Sequence, residues 1–283
     1  MTPEPAGATW AGSHTFGACG LVRPASVGEL QELVASQPRV RALGSRHSFT
    51  DLADTAGLLV SVDGLDGDPG QPALDGSVVR VPAGMRYGDL AVWLQARGRA
   101  LANLASLPHI SVAGAIATGT HGSGVGNGSL AAAVTALELV DGRGELVRLT
   151  AGPGGSPDFA GAVVGLGALG IVTHLELQTE PSYDVVQVVH EGLTWPTLAE
   201  RVEEILAVAY SVSVFTRWVD EPDGTVGRAW VKSRSGSPAV PGATPADGPR
   251  HVIPGLDPSL TTQQLGRPGP WHERLPHFRG GGG

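Results

Sequence analysis

A chain of 283 residues is long enough to bury one large core or two ordinary ones, and two domains are the default expectation at this length. A formal net charge of -8 with no run of Lys or Arg excludes nonspecific nucleic-acid binding, and the lone cysteine, Cys19, excludes an intramolecular disulfide and a cysteine-rich zinc site. A hydrophobic fraction of 41% with 16% charged residues is that of a globular protein, and 42 glycines with 22 prolines announce many turns. Cys19 reads as a small apolar filler. The N-terminus lacks a basic stretch followed by an apolar run, and eighteen consecutive apolar residues occur nowhere. Neither a secretory leader nor a transmembrane segment is expected, and a cytoplasmic location is.

In chain order, Ser26 stands as an N-cap before SVGELQELVAS, where Val27, Leu30, Leu33 and Val34 repeat at helical spacing. RVRALG, GLLVSVDGL and SVVRVPAG read as short strands bounded by glycine or proline. The pattern returns to helix at YGDLAVWLQARG, with Leu90, Trp93 and Leu94 on one face and Gly98 as the stop. The following stretch, ALANLASLPHISVAGAIATGTHGSG, consists mostly of small residues without clear period. Such residues let backbone approach a ligand or another backbone closely.

TALELVDGRGELVRL predicts a hairpin turning at Asp141, Gly142, Arg143 and Gly144. A short helix is expected at DFAGAVVG, and an alternating strand in GIVTHLELQTEP runs to Pro181, where the first domain boundary is placed. A second α+β unit opens with a strand at 185–190 and a helix beginning TLAERVEEIL, with Leu198, Val202, Ile205 and Leu206 on one face. A hairpin is expected around Pro222, Asp223 and Gly224, then a long irregular segment from Ser235 to about Pro270. The terminal residues 280–283, all glycine, are expected to be disordered. One helix and two or three strands are few for a complete domain.

Chemistry concentrates in two glycine-rich stretches, GSRHS at 44–48 and TGTHGSGVGNG at 118–128. His47, His109 and His121 are the obvious metal-ligand candidates, yet none sits at zincin spacing or beside a Cys or carboxylate at ligand spacing, so no metal is expected. There is no G-x-S-x-G elbow and no phosphate-binding G-x-x-x-x-G-K-[ST] loop. GSGVGNG misses the third glycine of the dinucleotide fingerprint, which leaves an NAD-dependent dehydrogenase as a weak reading. The two loops instead offer backbone N–H groups, together with hydroxyls of Ser111, Thr118 and Ser123, that can cradle a pyrophosphate. Neutral donors of this kind suit an acidic protein.

RVRALGSRHSF resembles the first flavin loop of the vanillyl-alcohol-oxidase type of FAD-binding family. ANLASLPHISVAGAIATGTHGSGVGNGSL resembles its second. With LGALGIVT and PGPWHERLPHF, the similarity is to the alditol oxidase and sugar-1,4-lactone oxidase branch, from about Trp10 to Arg279. The resemblance implies an α+β fold: a two-subdomain FAD-binding domain of the PCMH type over 10–181, then a partial substrate domain over 182–279. It implies FAD as cofactor, attached covalently through His47. Ala42, Leu43, Gly44, Ser45 and Arg46 would run along the pyrophosphate, with Ser48 closing the loop; Arg46 stands where relatives often have glycine. Ser106, Ser111, Gly114, Thr118, Gly119, Thr120 and His121 map onto the second loop, and Ile171 onto a backbone contact with the cofactor. Ser106 also falls where alditol oxidases place a hydroxyl near the substrate. His109 and His121 are expected to position their loop.

The implied reaction oxidises a polyol or sugar lactone and passes the electrons to O2, giving hydrogen peroxide. The family's Glu, Arg and Lys around the flavin face lie in its C-terminal third, beyond Arg279, and Lys232, Arg217 and Glu273 carry no argument for replacing them. The expectation is a truncated oxidase with little or no turnover. The alternative is a flavin-binding protein without catalysis.

Overall fold

The computed structural model describes residues 2–65, 71–218 and 224–279. The expected turn residues Pro222 and Asp223 and the glycine tail at 280–283 lie outside them. The fold mixes helix and sheet, and it separates into two compact units that each draw on several chain segments. One comprises Met1–Leu90, His109–Thr120 and Ser129–Glu180; the other comprises Ala91–Pro108, His121–Gly128 and Pro181–Gly283. Among the described residues no helix is long and apolar enough to cross a membrane.

The first unit begins its core with the helix Val27–Ser36. Ser26 accepts a hydrogen bond from the Glu29 N–H, and the Glu29 carboxylate accepts one from the Ala25 N–H at 2.9 Å, so the first turn is closed from both sides. The helix buries Leu30 and Val34 among Val22, Val60, Val140 and Ile171. Ser26→Ala removes an acceptor from an orphan N–H; it is expected to cost about 1 kcal/mol, read as a lower urea midpoint. Two sheets complete the unit. Gly20–Val22, Leu58–Val60 and Val40–Ala42 form a parallel sheet with Leu58–Val60 in the centre. Five antiparallel strands run in the order Ala73–Asp75, Val78–Pro82, Gly170–Gln178, Val134–Asp141, Leu146–Thr150. The last two are the expected hairpin; its turn is held by the Asp141 carboxylate, which accepts from the N–H groups of Arg143 and Glu145.

Two local outcomes differ from expectation. Val112–Ala117 is a helix, although its sequence VAGAIA is too short and too uniformly small to display a period. Cys19 is exposed, with its thiol directed at the Ala56 carbonyl at 3.3 Å, so it fills no core.

The second unit is built on Asp184–Glu191, Arg228–Ser233 and Ser211–Phe215, antiparallel with Arg228–Ser233 in the middle. The helix Trp195–Ala207, capped by Thr194, shares an apolar core that includes Leu193, Ile205, Val212, Val226 and Val231. Phe215 pairs with Arg228, so the arms of the expected hairpin are present. From 235 to 270 the chain forms only short pieces, Thr244–Pro245, Pro258–Leu260 and Gly269–Pro270, in keeping with its composition.

Lys232 sits inside this sheet with only 1% of its surface exposed. Burial pushes its ammonium from 10.5 down to about 7. An unfolded chain therefore binds this proton more tightly between those values, and the stability linked to Lys232 is full above 10.5 and lost as pH falls through about 7. Stability is expected to rise across that window with a slope of up to about 1.4 kcal/mol per pH unit. Urea titrations at pH 7 and 9 should show the rise in the parent chain and its absence in Lys232→Met.

Candidate functional site

Residues 42–48 leave the parallel sheet as a loop packed against residues 109–114, all within the first unit. The two segments are stitched reciprocally: the Ser45 N–H donates to Ser111 Oγ at 3.3 Å, and the Ser111 N–H donates to Ser45 Oγ at 3.2 Å. Gly44 and Gly114 flank that hydroxyl. A Cβ added to either would lie 2.7 Å from Ser111 Oγ and would force that hydroxyl to move.

Arg46 has φ 61, a left-handed conformation in which glycine is the unstrained residue. Its carbonyl accepts the N–H groups of Trp10 and Ser48, and its guanidinium lies over Gly7, so the side chain turns toward the N-terminal segment. The departure from glycine is accommodated there. Among the described residues, the N–H groups of Gly44, Arg46 and His47 donate to no protein acceptor. Within residues 112–120 of the second loop, Val112 donates to Met85, Ala113 to Ala83, Ala115 to Ser111, and Thr120 to Ala115.

The His47 ring stacks on Trp10 at 4.6 Å between centroids, and its Nδ1 lies 3.2 Å from Nε2 of His109. Burial, then the neighbouring His109, holds the His47 imidazole below its ordinary value; burial, then Arg86, does the same for His109. Both rings are neutral near pH 7. A neutral imidazole keeps one nitrogen lone pair and is a nucleophile. Among the described residues, no group of three or more His, Cys, Asp or Glu is placed to hold a metal ion.

Ile171 lies in the core beside Val140, so its side chain packs and only its backbone can serve a ligand. Thr118 donates its hydroxyl to the Gly114 carbonyl at 2.9 Å and lies 3.4 Å from the Thr120 hydroxyl; Gly119 turns at φ 68. Ser106 and His121 belong to the second unit. There His121 Nδ1 is 2.9 Å from the Gly122 carbonyl, and Ser106 Oγ is 2.8 Å from Nδ1 of His277. Reading the sequence left His109 to hold its own loop and missed Trp10 and His277. Nothing local marks these contacts, which join residues far apart in the chain.

Closely apposed Gly44 and Gly114, backbone donors without a protein acceptor and a neutral imidazole suit an anionic dinucleotide, and residues 18–150 do match the family model described as FAD binding domain. Over residues 18–150 the chain is thus similar to FAD-binding domains. It is 46% identical over 277 residues to an alditol oxidase of a Streptomyces species, a match covering 95% of this chain and 64% of that protein. It is 37% identical over 186 residues to an L-gulono-1,4-lactone dehydrogenase of Mycobacterium tuberculosis (64% of this chain, 42% of that protein). It is also 34% identical over 215 residues to a D-arabinono-1,4-lactone oxidase of Yarrowia lipolytica (73% and 40%). The chain spans less than two thirds of the length of these relatives.

Proposed function

We propose that this chain is the cofactor-binding part of an FAD-dependent oxidoreductase acting on the CH–OH group of a polyol or sugar lactone, with O2 as the final acceptor. The observation that carries the reading is the close approach of the Gly44 and Gly114 backbone to each other around Ser111, inside the stretch that matches FAD-binding domains. In this reading residues 10–181 are a PCMH-type FAD-binding domain, 182–279 part of the substrate domain, and 91–108 and 121–128 are segments of the former that pack with the latter.

Bound FAD would supply the two-electron acceptor. The N–H groups of Gly44, Arg46 and His47 would hold its phosphates, Ser111 and Thr118 would lie beside it, and Ile171 would offer backbone. His47, neutral and fixed by Trp10 and His109, would form the covalent tether. Ser106 would meet a substrate hydroxyl. The names of the relatives, alditol oxidase and lactone oxidase or dehydrogenase, support this substrate class.

The test is direct. The purified chain is expected to carry, or take up, FAD; a colourless protein with no affinity for FAD overturns the reading. Anaerobic bleaching of the bound flavin by xylitol, by sorbitol or by L-gulono-1,4-lactone then assigns the substrate, and peroxide on readmission of air assigns the acceptor.

A further inference from the structure

The sheet of the second unit has two unlike faces. Val188, Val231 and Val212 pair across three strands and share a face with the apolar core of the helix Trp195–Ala207. The alternate positions form a polar row instead: Gln187 pairs with Lys232, and Lys232 with Ser211. A row of buried polar side chains is costly unless each group is satisfied. Lys232 and Gln187 serve one segment, residues 275–278, Gln187 through Thr262, while the Ser211 hydroxyl is bonded to that of Ser123. Lys232 Nζ donates to the Leu275 carbonyl. Gln187 Nε2 donates to Thr262 Oγ1 at 3.0 Å, and that hydroxyl donates to the Pro276 carbonyl at 2.8 Å. The Thr262 N–H donates to the His277 carbonyl at 3.0 Å.

What this segment grips is Ser106. The Ser106 carbonyl accepts N–H groups from His277 at 3.2 Å and Phe278 at 3.3 Å, and its hydroxyl is bonded to His277 Nδ1. His277 is 5% exposed, with its ring 5.2 Å from Phe215 and from Trp230. Burial, reinforced by Lys232, holds its imidazole well below the ordinary value, so the ring is neutral. Among the described residues Nε2 has no hydrogen-bonding partner. Aromatic faces tolerate an N–H, which favours a hydrogen on Nε2 and leaves Nδ1 to accept from the serine.

We propose that His277 and Lys232 are positioning residues for Ser106. Lys232 pins the segment, and His277 takes the serine's hydrogen. The Ser106 oxygen is thereby presented with its lone pairs free to accept a hydroxyl hydrogen of a polyol or lactone. The inference rests on the reading of Ser106 as a substrate contact.

Anaerobic stopped-flow titration of the FAD-loaded full chain with xylitol separates affinity, seen as the initial flavin perturbation, from flavin reduction. Ser106→Ala and His277→Phe, which suits the aromatic surroundings, are each expected to weaken xylitol binding about tenfold. The double variant is expected to be no weaker than Ser106→Ala, and His277→Asn, which restores an acceptor, to recover most of the loss. Retained FAD and an unchanged unfolding midpoint identify folded variants. In a long-range 1H–15N spectrum His277 should show the Nε2–H tautomer, with its Nδ1 signal moving on Ser106→Ala. Xylitol affinity lost in Ser106→Ala but intact in His277→Phe overturns the inference alone, as does an Nδ1 signal that stays put. A parent chain that responds to none of xylitol, sorbitol and L-gulono-1,4-lactone, or a Ser106→Ala variant as tight as the parent, overturns the substrate reading and the inference with it.

Discussion

His47→Ala is expected to abolish acid-stable flavin: the parent chain precipitates yellow from trichloroacetic acid, whereas the variant precipitates colourless and releases its FAD to the supernatant. The expected effect is complete because the tether rests on this one imidazole. His109 is the only nearby imidazole contact of His47 among the described residues, and its Nε2 is directed at His47 Nδ1. A neutral ring is required for attachment, and burial with the adjacent His109 keeps His47 in that form. Ser45, Ser111, Gly44 and Gly114 are untouched by the substitution, so reversible FAD binding should survive. Covalent flavin persisting in the variant would move the tether elsewhere; a parent chain that binds FAD only reversibly would remove it.

The second large effect is expected at Gly170. Its φ of 151 lies in the region that side chains avoid, and an added Cβ would meet the Val140 carbonyl and stand 2.9 Å from Leu139 Cδ1. The Val140 carbonyl cannot retreat, since Asp141 pairs with Gly170 and Val140 with Ile171 in the centre of the five-stranded sheet. Gly170→Ala should cost about 3 kcal/mol from strain and overlap together, lowering the unfolding midpoint by roughly 6–12 °C. Calorimetry checks this. A midpoint within 2 °C of the parent's would mean that the strand ends relax around the methyl group. Because Ile171 follows directly, FAD affinity should fall with stability.

Much of the first unit can be read locally. The helix Val27–Ser36 has a cap and a period, and the hairpin at residues 134–150 has alternation and a glycine-bearing turn. The loop at 42–48 stands out because glycine and serine beside a histidine serve backbone chemistry better than packing. The helix Val112–Ala117 was not legible, because tertiary contacts and not an amphipathic face hold six small residues. Lys232 is fully buried, which its neighbours in sequence do not announce, because its polar partner arrives more than forty residues later. His47 and His109 are separated by 62 residues and Ser106 and His277 by 171, distances over which spacing carries no signal.

The interleaving of the two units sets an order of assembly during synthesis. Residues 91–108 and 121–128 emerge from the ribosome well before Pro181–Gly283, with which they pack. Until then they are nascent polypeptide with apolar side chains such as Leu101 and Leu104 uncovered, a period in which a chaperone has most to hold. A fragment ending at Pro181 would keep those two segments permanently without their neighbours. It should aggregate on refolding, even though it holds every residue of the 18–150 match.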